Sequence, residues 1–166
     1  MQLYLLRHAN ADTPAATDFD RALSPLGVNQ ARTVGWFCRE HGLIPEIVLT
    51  SPLLRARQTA EHFTQTLGVP PAEVASFLAS GMSPHMALTE LKAYKEFENV
   101  LIVGHEPDFS MLIAELLGLP SPEHVSVKKA SLTRLSVKRL RVGGARLEFS
   151  LPCRLMAPPP PPNPSL

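Results

Sequence analysis

Three short runs of mainly apolar residues are each followed by a polar turn and then by a helical pattern of apolar positions. The runs are Leu3–Leu6, Glu46–Thr50 and Val100–Val103. This alternation predicts βαβ units, because a buried parallel strand is apolar on both faces while the helix that follows it is amphipathic. The expected fold class is therefore α/β, with three layers (α/β/α) around a mainly parallel, doubly wound sheet.

Capping residues mark the ends of the first two helices. Ser24 followed by Pro25 predicts the start of one helix, and Ser51 followed by Pro52 predicts the start of another. Glycines at 42 and 68 predict where these helices end. The predicted buried faces comprise Leu26, Val34, Phe37 and Cys38 in the first helix, and Ala56, Ala60, Phe63 and Leu67 in the second.

The rest of the chain carries weaker patterns. Residues 74–78 predict a short strand, residues 84–96 a helix, and residues 109–116 the apolar face of a helix that ends at Gly118. Residues 131–151 predict a β-hairpin turning at Gly143–Gly144, with a bulge near Lys138–Arg139 where the alternation fails. We expect one domain at 1–153 and a proline-rich disordered tail at 154–166, which includes "APPPPPNPSL".

Composition narrows the function classes. A chain of 166 residues with 45% hydrophobic and 19% charged residues and a net charge of +1 is typical of a single globular domain. The charge balance argues against a nucleic-acid partner, and the lack of a long apolar run argues against a membrane partner. We also expect no signal peptide, a cytoplasmic location, and free thiols at Cys38 and Cys153. The sequence leaves the oligomeric state open.

Polar side chains follow each of the three clear strands. Arg7 and His8 end the first, Arg55 lies shortly after the second, and His105 follows the third through Gly104. The carboxyl ends of parallel strands open into a common crevice, so these side chains should converge there beside helix N-termini. Two guanidiniums, two imidazoles and free backbone N–H groups favour an anion, and the predicted ligand is a phosphoryl group.

The same residues suggest a reaction. Arginine offers a planar, permanently charged fork to phosphate oxygens, and two arginines supply positive charge that many phosphoryl-transfer enzymes take from magnesium. The sequence shows no acidic metal cluster, so we expect neither a metal nor another cofactor. A neutral imidazole can attack phosphorus, and the phospho-imidazole then hydrolyses readily. His8 is the preferred nucleophile because it lies at a rigid strand end.

Four segments in order resemble a known family. "LLRHANA", "LSPLGVNQAR", "TSPLLRARQTAE" and "IVGHEPDFS" are similar to motifs of the histidine phosphatase (phosphoglycerate mutase-like) superfamily, over about residues 1–150. The short length and the "DFDRALS" loop resemble SixA-type phosphohistidine phosphatases. The resemblance implies phosphorylation of His8, with Arg7, Arg55 and His105 binding the phosphoryl oxygens. Ser51, chiefly expected as a helix cap, is added as a candidate phosphate-binding residue.

The sequence departs from the superfamily at two places. Glycine often follows the Arg-His pair, whereas this chain has Ala9, which requires a negative φ there. Larger members carry an acidic proton donor between the second and third motifs, and no acid stands in "ASFLASGMSPHMAL". Asp18, Asp20 and Glu106 are the alternative proton donors, with Asp12 a further open candidate. A missing acid favours P–N substrates, because a phosphoramidate nitrogen is more basic than an alkoxide and can leave once protonated.

Three functions remain open at this point. The first is a metal-independent phosphatase for phosphohistidine on a protein partner, such as a histidine phosphotransfer domain in signalling. The second is a phosphomonoesterase for a phosphorylated small molecule, and the third is a non-catalytic phosphate-binding module. A separate cationic group is expected to be solvated edge charge, with docking of an acidic protein as the alternative; it comprises Lys128, Lys129, Lys138, Arg139, Arg141 and Arg146.

Overall fold

A mixed sheet organises the chain in the computed structural model, which describes residues 1–12 and 14–158. Its strands are β1 (Gln2–Arg7), β2 (Ile47–Thr50), β3 (Glu73–Val74), β4 (Asn99–Gly104), β5 (Leu132–Val137) and β6 (Ala145–Leu151). Their order across the sheet is β3-β2-β4-β1-β5-β6. The strands β3, β2, β4 and β1 are parallel, and β5 and β6 are antiparallel to their neighbours. The predicted mainly parallel sheet is confirmed.

Helices cover both faces of this sheet. They are α1 (Pro25–Glu40), α2 (Leu54–Leu67), α3 (Pro84–Glu90) and α4 (Asp108–Leu117). Alternate residues of β1 face opposite sides: Leu3 and Leu5 pack in the core cluster with α3 and α4, while Tyr4 and Leu6 pack in the cluster with α1 and α2. The three-layer α/β/α class is therefore confirmed.

The N-terminus of α1 packs on the loop that follows β1. The hydroxyl of Ser24 accepts from the backbone N–H of Gly27, as the sequence predicts for an N-cap. A Cβ at Gly27 would lie 2.0 Å from the carbonyl oxygen of Asn10, so only glycine allows this approach. The buried stripe thus runs from Gly27 to Val34 and Cys38, and the prediction for Leu26 is wrong because that side chain is 57% exposed.

The start of α2 differs from the prediction. The helix begins at Leu54, and Leu53 at its N-cap provides no side-chain cap. Instead, the backbone carbonyl of Phe19 accepts from the N–H of Leu54 at 3.0 Å. The expected N-cap role of Ser51 is therefore wrong, since this residue lies three positions before the helix.

Residues 74–96 form shorter elements than the sequence pattern suggests. Only Glu73–Val74 pair as a strand, and Ser76–Leu78 form a 3₁₀ turn. The α-helix ends at Glu90 and a 3₁₀ turn follows at Leu91–Tyr94, so one helix over 84–96 is wrong. The segment is fixed by burial of single apolar side chains such as Met82, which packs in the core on the α4 side.

The hairpin has its bulge on the other strand from the one predicted. Arg134 pairs with Phe149 but Leu135 pairs with Leu147, which leaves Glu148 as the extra residue of β6. The bulge changes which face β6 buries: Ala145 packs on the α4 side, whereas Phe149 packs on the α1 side. Loss of alternation near Lys138–Arg139 instead reflects the turn that connects the two strands.

The folded part of the chain extends past the predicted boundary at 153. Cys153–Leu155 form a 3₁₀ turn, and Met156 is buried with the α1 and α2 cluster. Most of the predicted tail, residues 159–166, lies outside the described residues, so its disorder stays a prediction. Across the described residues, no helix is long and apolar enough to cross a membrane.

Candidate active site

The carboxyl ends of three neighbouring strands bring the predicted site residues together. Arg7 at the end of β1 is in register with Gly104 at the end of β4, and Thr50 at the end of β2 is in register with Val103. The residues that follow these ends lie at one edge of the sheet. There the structure gathers all five residues predicted to bind or attack a phosphoryl group: Arg7, His8, Ser51, Arg55 and His105.

His8 is buried and held by its own backbone. Its side chain is 5% exposed, and its Nδ1 lies 2.8 Å from the carbonyl oxygen of Ala9. A carbonyl only accepts, so Nδ1 carries the proton and Nε2 keeps its lone pair. Burial, and then the neighbouring His105 and arginines, lower the pKa of His8 to about 3. The imidazole is therefore neutral, with Nε2 free to attack.

A threonine that the sequence analysis did not single out fixes the loop after His8. The hydroxyl of Thr59 accepts from the backbone N–H of Ala9 at 3.0 Å and donates to the carbonyl of Arg55 at 2.7 Å. Thr59 thereby joins the Arg-His loop to α2. Ala9 is fully buried and has a negative φ. The backbone at this position therefore accepts alanine in place of the glycine found in many superfamily members.

Ala130 is a second residue that sequence reasoning missed. It adopts a φ of 53°, which is unfavourable for a residue with a Cβ. Its backbone N–H lies 3.1 Å from the carbonyl of Arg7 and 3.2 Å from that of His8. Such strain persists where the surrounding structure imposes it. The segment "KKAS" gives no local signal of this conformation.

Both arginines keep part of their guanidinium free. Arg7 Nη1 donates to the carbonyl of Val127 at 2.7 Å, and Arg55 Nη1 donates to the carbonyl of Asp18 at 2.7 Å. The Nε groups of both arginines are buried, and neither has a partner among the described residues. Buried donors without partners are rare, so these groups suit a bound anion.

The second imidazole lies beside the first. The ring centroids of His105 and His8 are 5.3 Å apart, and His105 is 2% exposed. Its Nε2 lies 2.7 Å from Ser51 Oγ, whereas its buried Nδ1 has no partner among the described residues. Burial, followed by the charge of Arg55, lowers the pKa of His105 to about 4. His105 is therefore also neutral at physiological pH.

The glycine before His105 acts through packing and not through a turn. Gly104 has no positive φ, so the conformational freedom of glycine is not what this position requires. A Cβ at this position would lie 2.7 Å from the ring of Phe109. Glycine lets α4 pack closely on the end of β4, and this contact helps to set the position of His105.

Among the candidate proton donors, Asp18 is in direct contact with a predicted phosphate-binding residue. Its carboxylate contacts Arg55 at 3.0 Å and Arg21 at 2.8 Å, and it is 63% exposed. The hydrogen bonds from Arg21, with the charges of both arginines, lower the pKa of Asp18. A carboxyl held ionised in this way is a poor proton donor.

The other acids have different partners. Glu106 accepts from the backbone N–H of Ser110 at 3.1 Å and lies near enough to Arg7 to favour its charged form. Asp20 accepts from the hydroxyl of Thr17 at 2.6 Å, and Asp12 pairs with Lys129 at 2.8 Å. Glu106 is thus the remaining candidate at the crevice, and within the described part of the chain the structure shows no hydrogen bond between Asp20 or Asp12 and His8 or His105.

The arrangement matches the chemistry of phosphoryl binding. Within residues 1–12 and 14–158, no group of three His, Cys, Asp or Glu side chains could hold a metal ion. The crevice instead offers permanently charged N–H donors from two arginines and two neutral imidazoles, one of which, His8, carries a lone pair on Nε2. These groups can hold a phosphoryl group and attack its phosphorus.

Comparisons with known proteins agree with this geometry. A family model described as the histidine phosphatase superfamily (branch 1) matches residues 3–78. The phosphohistidine phosphatase SixA of Escherichia coli (strain K12) is 32% identical over 137 residues, covering 80% of this chain and 85% of that protein. A protein of Picosynechococcus sp. is 34% identical over 152 residues, covering 89% of each.

A solved structure extends the likeness to the whole fold. The protein histidine phosphatase SixA complexed with tungstate superposes with a TM-score of 0.84 at 26% identity, covering 93% of this chain and 98% of that one. The order of motifs, the fold and the relatives all agree. The chain therefore belongs to the histidine phosphatase superfamily, as a phosphatase related to SixA.

Proposed function

We propose that this protein removes the phosphoryl group from phosphohistidine on a protein, through a covalent phospho-His8 intermediate. The observation that carries the proposal is the protonation state of His8. Its Nδ1–H donates to the carbonyl of Ala9, so the buried, neutral ring has a lone pair available on Nε2. Arg7 and Arg55 flank it with buried N–H donors that have no partner among the described residues.

The first step transfers the phosphoryl group to His8. Nε2 attacks phosphorus in line while the P–N bond of the substrate breaks, and the bonding electron pair goes to the departing imidazole nitrogen. The charge on the phosphoryl oxygens is held by Arg7, Arg55 and His105. The positive charge that develops on the His8 ring is stabilised by the carbonyl of Ala9.

In the second step water attacks the phosphorus of phospho-His8. The P–Nε2 bond breaks, its electron pair returns to Nε2, and inorganic phosphate leaves with the oxygen of the water. Neither step requires a metal, because the two guanidiniums supply the positive charge.

The acids near the crevice favour a P–N over a P–O substrate. Asp18 is held ionised, which makes it a poor proton donor to an alkoxide leaving group, and the Glu106 carboxylate already accepts from the backbone N–H of Ser110. A departing imidazole is easier to protonate and does not depend on a strong acid of the enzyme. The Asp18 carboxylate that contacts Arg55 is 63% exposed, so one edge of the site borders the protein surface. A phosphohistidine carried on the surface of a protein could approach from this side.

The relatives support the same substrate. The E. coli protein at 32% identity is named a phosphohistidine phosphatase, and the superposed SixA structure holds tungstate, an oxyanion of the same shape as phosphate. We further propose that the enzyme works in the cytoplasm, where histidine phosphotransfer proteins are found.

The test compares substrates in the presence of a chelator. We expect a phosphorylated histidine phosphotransfer domain to be dephosphorylated with a kcat/KM about 100-fold above that for sugar phosphates and nucleoside monophosphates. Acid-labile, base-stable phosphate should be trapped on wild-type protein and not on the His8→Ala variant. Preference for a phosphomonoester would replace the proposed substrate, and absence of trapped phosphate with every donor would favour a binding module.

A further inference from the structure

Ser51 forms a fully buried hydrogen bond with His105 that the proposed reaction does not by itself require. Ser51 is 0% exposed, and its Oγ lies 2.7 Å from His105 Nε2. Because the hydroxyl of Ser51 already has His105 as its partner, it is less available for the phosphate contact that the sequence suggests.

The hydrogen bonds around Ser51 indicate the direction of this contact. The backbone N–H of Leu53 donates to Ser51 Oγ at 3.3 Å, which uses one lone pair of the hydroxyl. If the hydroxyl proton points to His105, both Ser51 and Nε2 are satisfied. In the reverse direction the hydroxyl proton of Ser51 would have no acceptor among the described residues, which is costly in a buried site.

Burial and the charges around His105 keep its ring neutral, so the direction of the hydrogen bond to Ser51 decides which nitrogen carries the proton. The pKa of His105 is lowered by burial and then by Arg55, with further contributions from Arg7 and Arg21, and is raised in part by Asp18. The ring is thus neutral and carries a single proton. If Nδ1 carries the proton, it can donate a hydrogen bond to a phosphoryl oxygen. If Nδ1 carries the lone pair instead, both atoms are acceptors and no hydrogen bond can form between them.

We propose that Ser51 is a positioning residue that fixes the tautomer of His105: its hydroxyl donates to Nε2 and thereby places the ring proton on Nδ1, the buried nitrogen without a partner. The consequence for catalysis rests on the proposed function, because the Nδ1–H then donates to the transferring phosphoryl group. The tautomer itself is a property of the free protein.

The direct test is the imidazole ¹⁵N spectrum of the free wild-type protein. Long-range ¹H–¹⁵N correlation distinguishes a protonated from an unprotonated ring nitrogen, and a His105→Gln variant assigns the signals. We expect Nδ1 of His105 to be protonated and Nε2 to be unprotonated. A proton on Nε2 in the wild-type protein would overturn the proposal. Addition of inorganic phosphate should shift the Nδ1 signal.

The second test removes the hydroxyl. In Ser51→Ala the Nδ1–H preference should be lost, and kcat/KM should fall about 10-fold, as expected for loss of one buried hydrogen bond. Ser51→Thr keeps the hydroxyl and should restore both the tautomer and most of the activity. If Ser51→Ala folds and keeps the wild-type tautomer, Ser51 does not set it.

A matched control separates this effect from general loss of a buried hydroxyl. Ser110 is also buried, and its Oγ donates to the carbonyl of Pro107 at 2.8 Å without touching His105. Ser110→Ala should change kcat/KM less than 2-fold and leave the tautomer of His105 unchanged. Failure of the proposed function would appear as absence of phosphoenzyme in the wild type, whereas failure of this proposal would appear in the spectrum.

Discussion

Two groups of cationic side chains lie at opposite ends of β1 and behave differently. Arg7 and Arg55 at the carboxyl end are fixed by backbone carbonyls, and each keeps a buried N–H without a partner among the described residues. Lys138, Arg139 and Arg141 lie near the amino end, in the turn between β5 and β6, and are exposed. Burial and unsatisfied donors, more than the number of charges, therefore distinguish the proposed phosphate site from a solvated surface.

Replacement of His8, the proposed nucleophile beside Arg7 and Arg55, should have the largest effect on activity. His8→Ala removes the only nitrogen proposed to take the phosphoryl group, so kcat should fall at least about 10⁴-fold. Phosphate release under single-turnover conditions measures this. His85→Ala, at an exposed histidine, is the control and should retain activity. Wild-type turnover by a folded His8→Ala variant would assign the nucleophile elsewhere.

The next effect comes from one buried guanidinium compared with an exposed one on the same helix. Arg55→Ala should lower kcat/KM about 10²–10³-fold, because it removes a charged donor to the transition state. Arg57 is exposed on α2, and Arg57→Ala should change kcat/KM less than 2-fold. Equal effects of the two substitutions would mean that phosphate binding depends on the overall positive charge of the protein, and not on a direct contact with Arg55.

Burial of the two imidazoles should also make stability depend on pH. In the folded protein the pKa values of His8 and His105 are lowered to about 3 and about 4, whereas an unfolded histidine has a pKa near 6.5. Between the folded and the unfolded pKa values, the unfolded state therefore binds more protons than the folded state. Stability from this source is full above about pH 6.5 and decreases as pH falls toward 4.

Urea unfolding at a series of pH values tests this prediction. Two such histidines contribute a slope of up to about 2.7 kcal/mol per pH unit between about pH 4 and 6. A variant with both His8→Gln and His105→Gln should lose that part of the slope, while His85→Gln at an exposed position should keep it. An unchanged slope in the double variant would show that these rings do not resist protonation.

The smallest effect is expected for the exposed group. Replacing Arg139 and Arg141 by alanine should change kcat/KM less than 2-fold and the free energy of unfolding by less than about 0.5 kcal/mol each. The assay uses both a small phosphoramidate and a phosphohistidine protein, so that an effect on catalysis can be told from an effect on protein binding. A loss confined to the protein substrate would identify the turn as a docking surface for an acidic partner.

The central strands and the residues that follow them could be predicted from the sequence. β1, β2 and β4 are nearly continuous apolar runs, and parallel strands of this kind place their carboxyl ends at one edge. Arg7, His8, Arg55 and His105 could therefore be grouped before any coordinates. The periodicity of α2 and α4 was equally clear, because each buries one regular stripe and ends at a glycine with positive φ.

Other features depend on contacts between residues far apart in the sequence and could be seen only in the folded protein. The hydroxyl of Ser51 looks like a helix cap locally, yet β4 brings His105 within 2.7 Å of it, 54 residues away in the chain. The bulge at Glu148 follows from pairing with β5, and the positive φ of Ala130 follows from its bonds to Arg7 and His8. The local sequence cannot predict these features, because each depends on the position and the hydrogen-bonding groups of a residue far away in the chain.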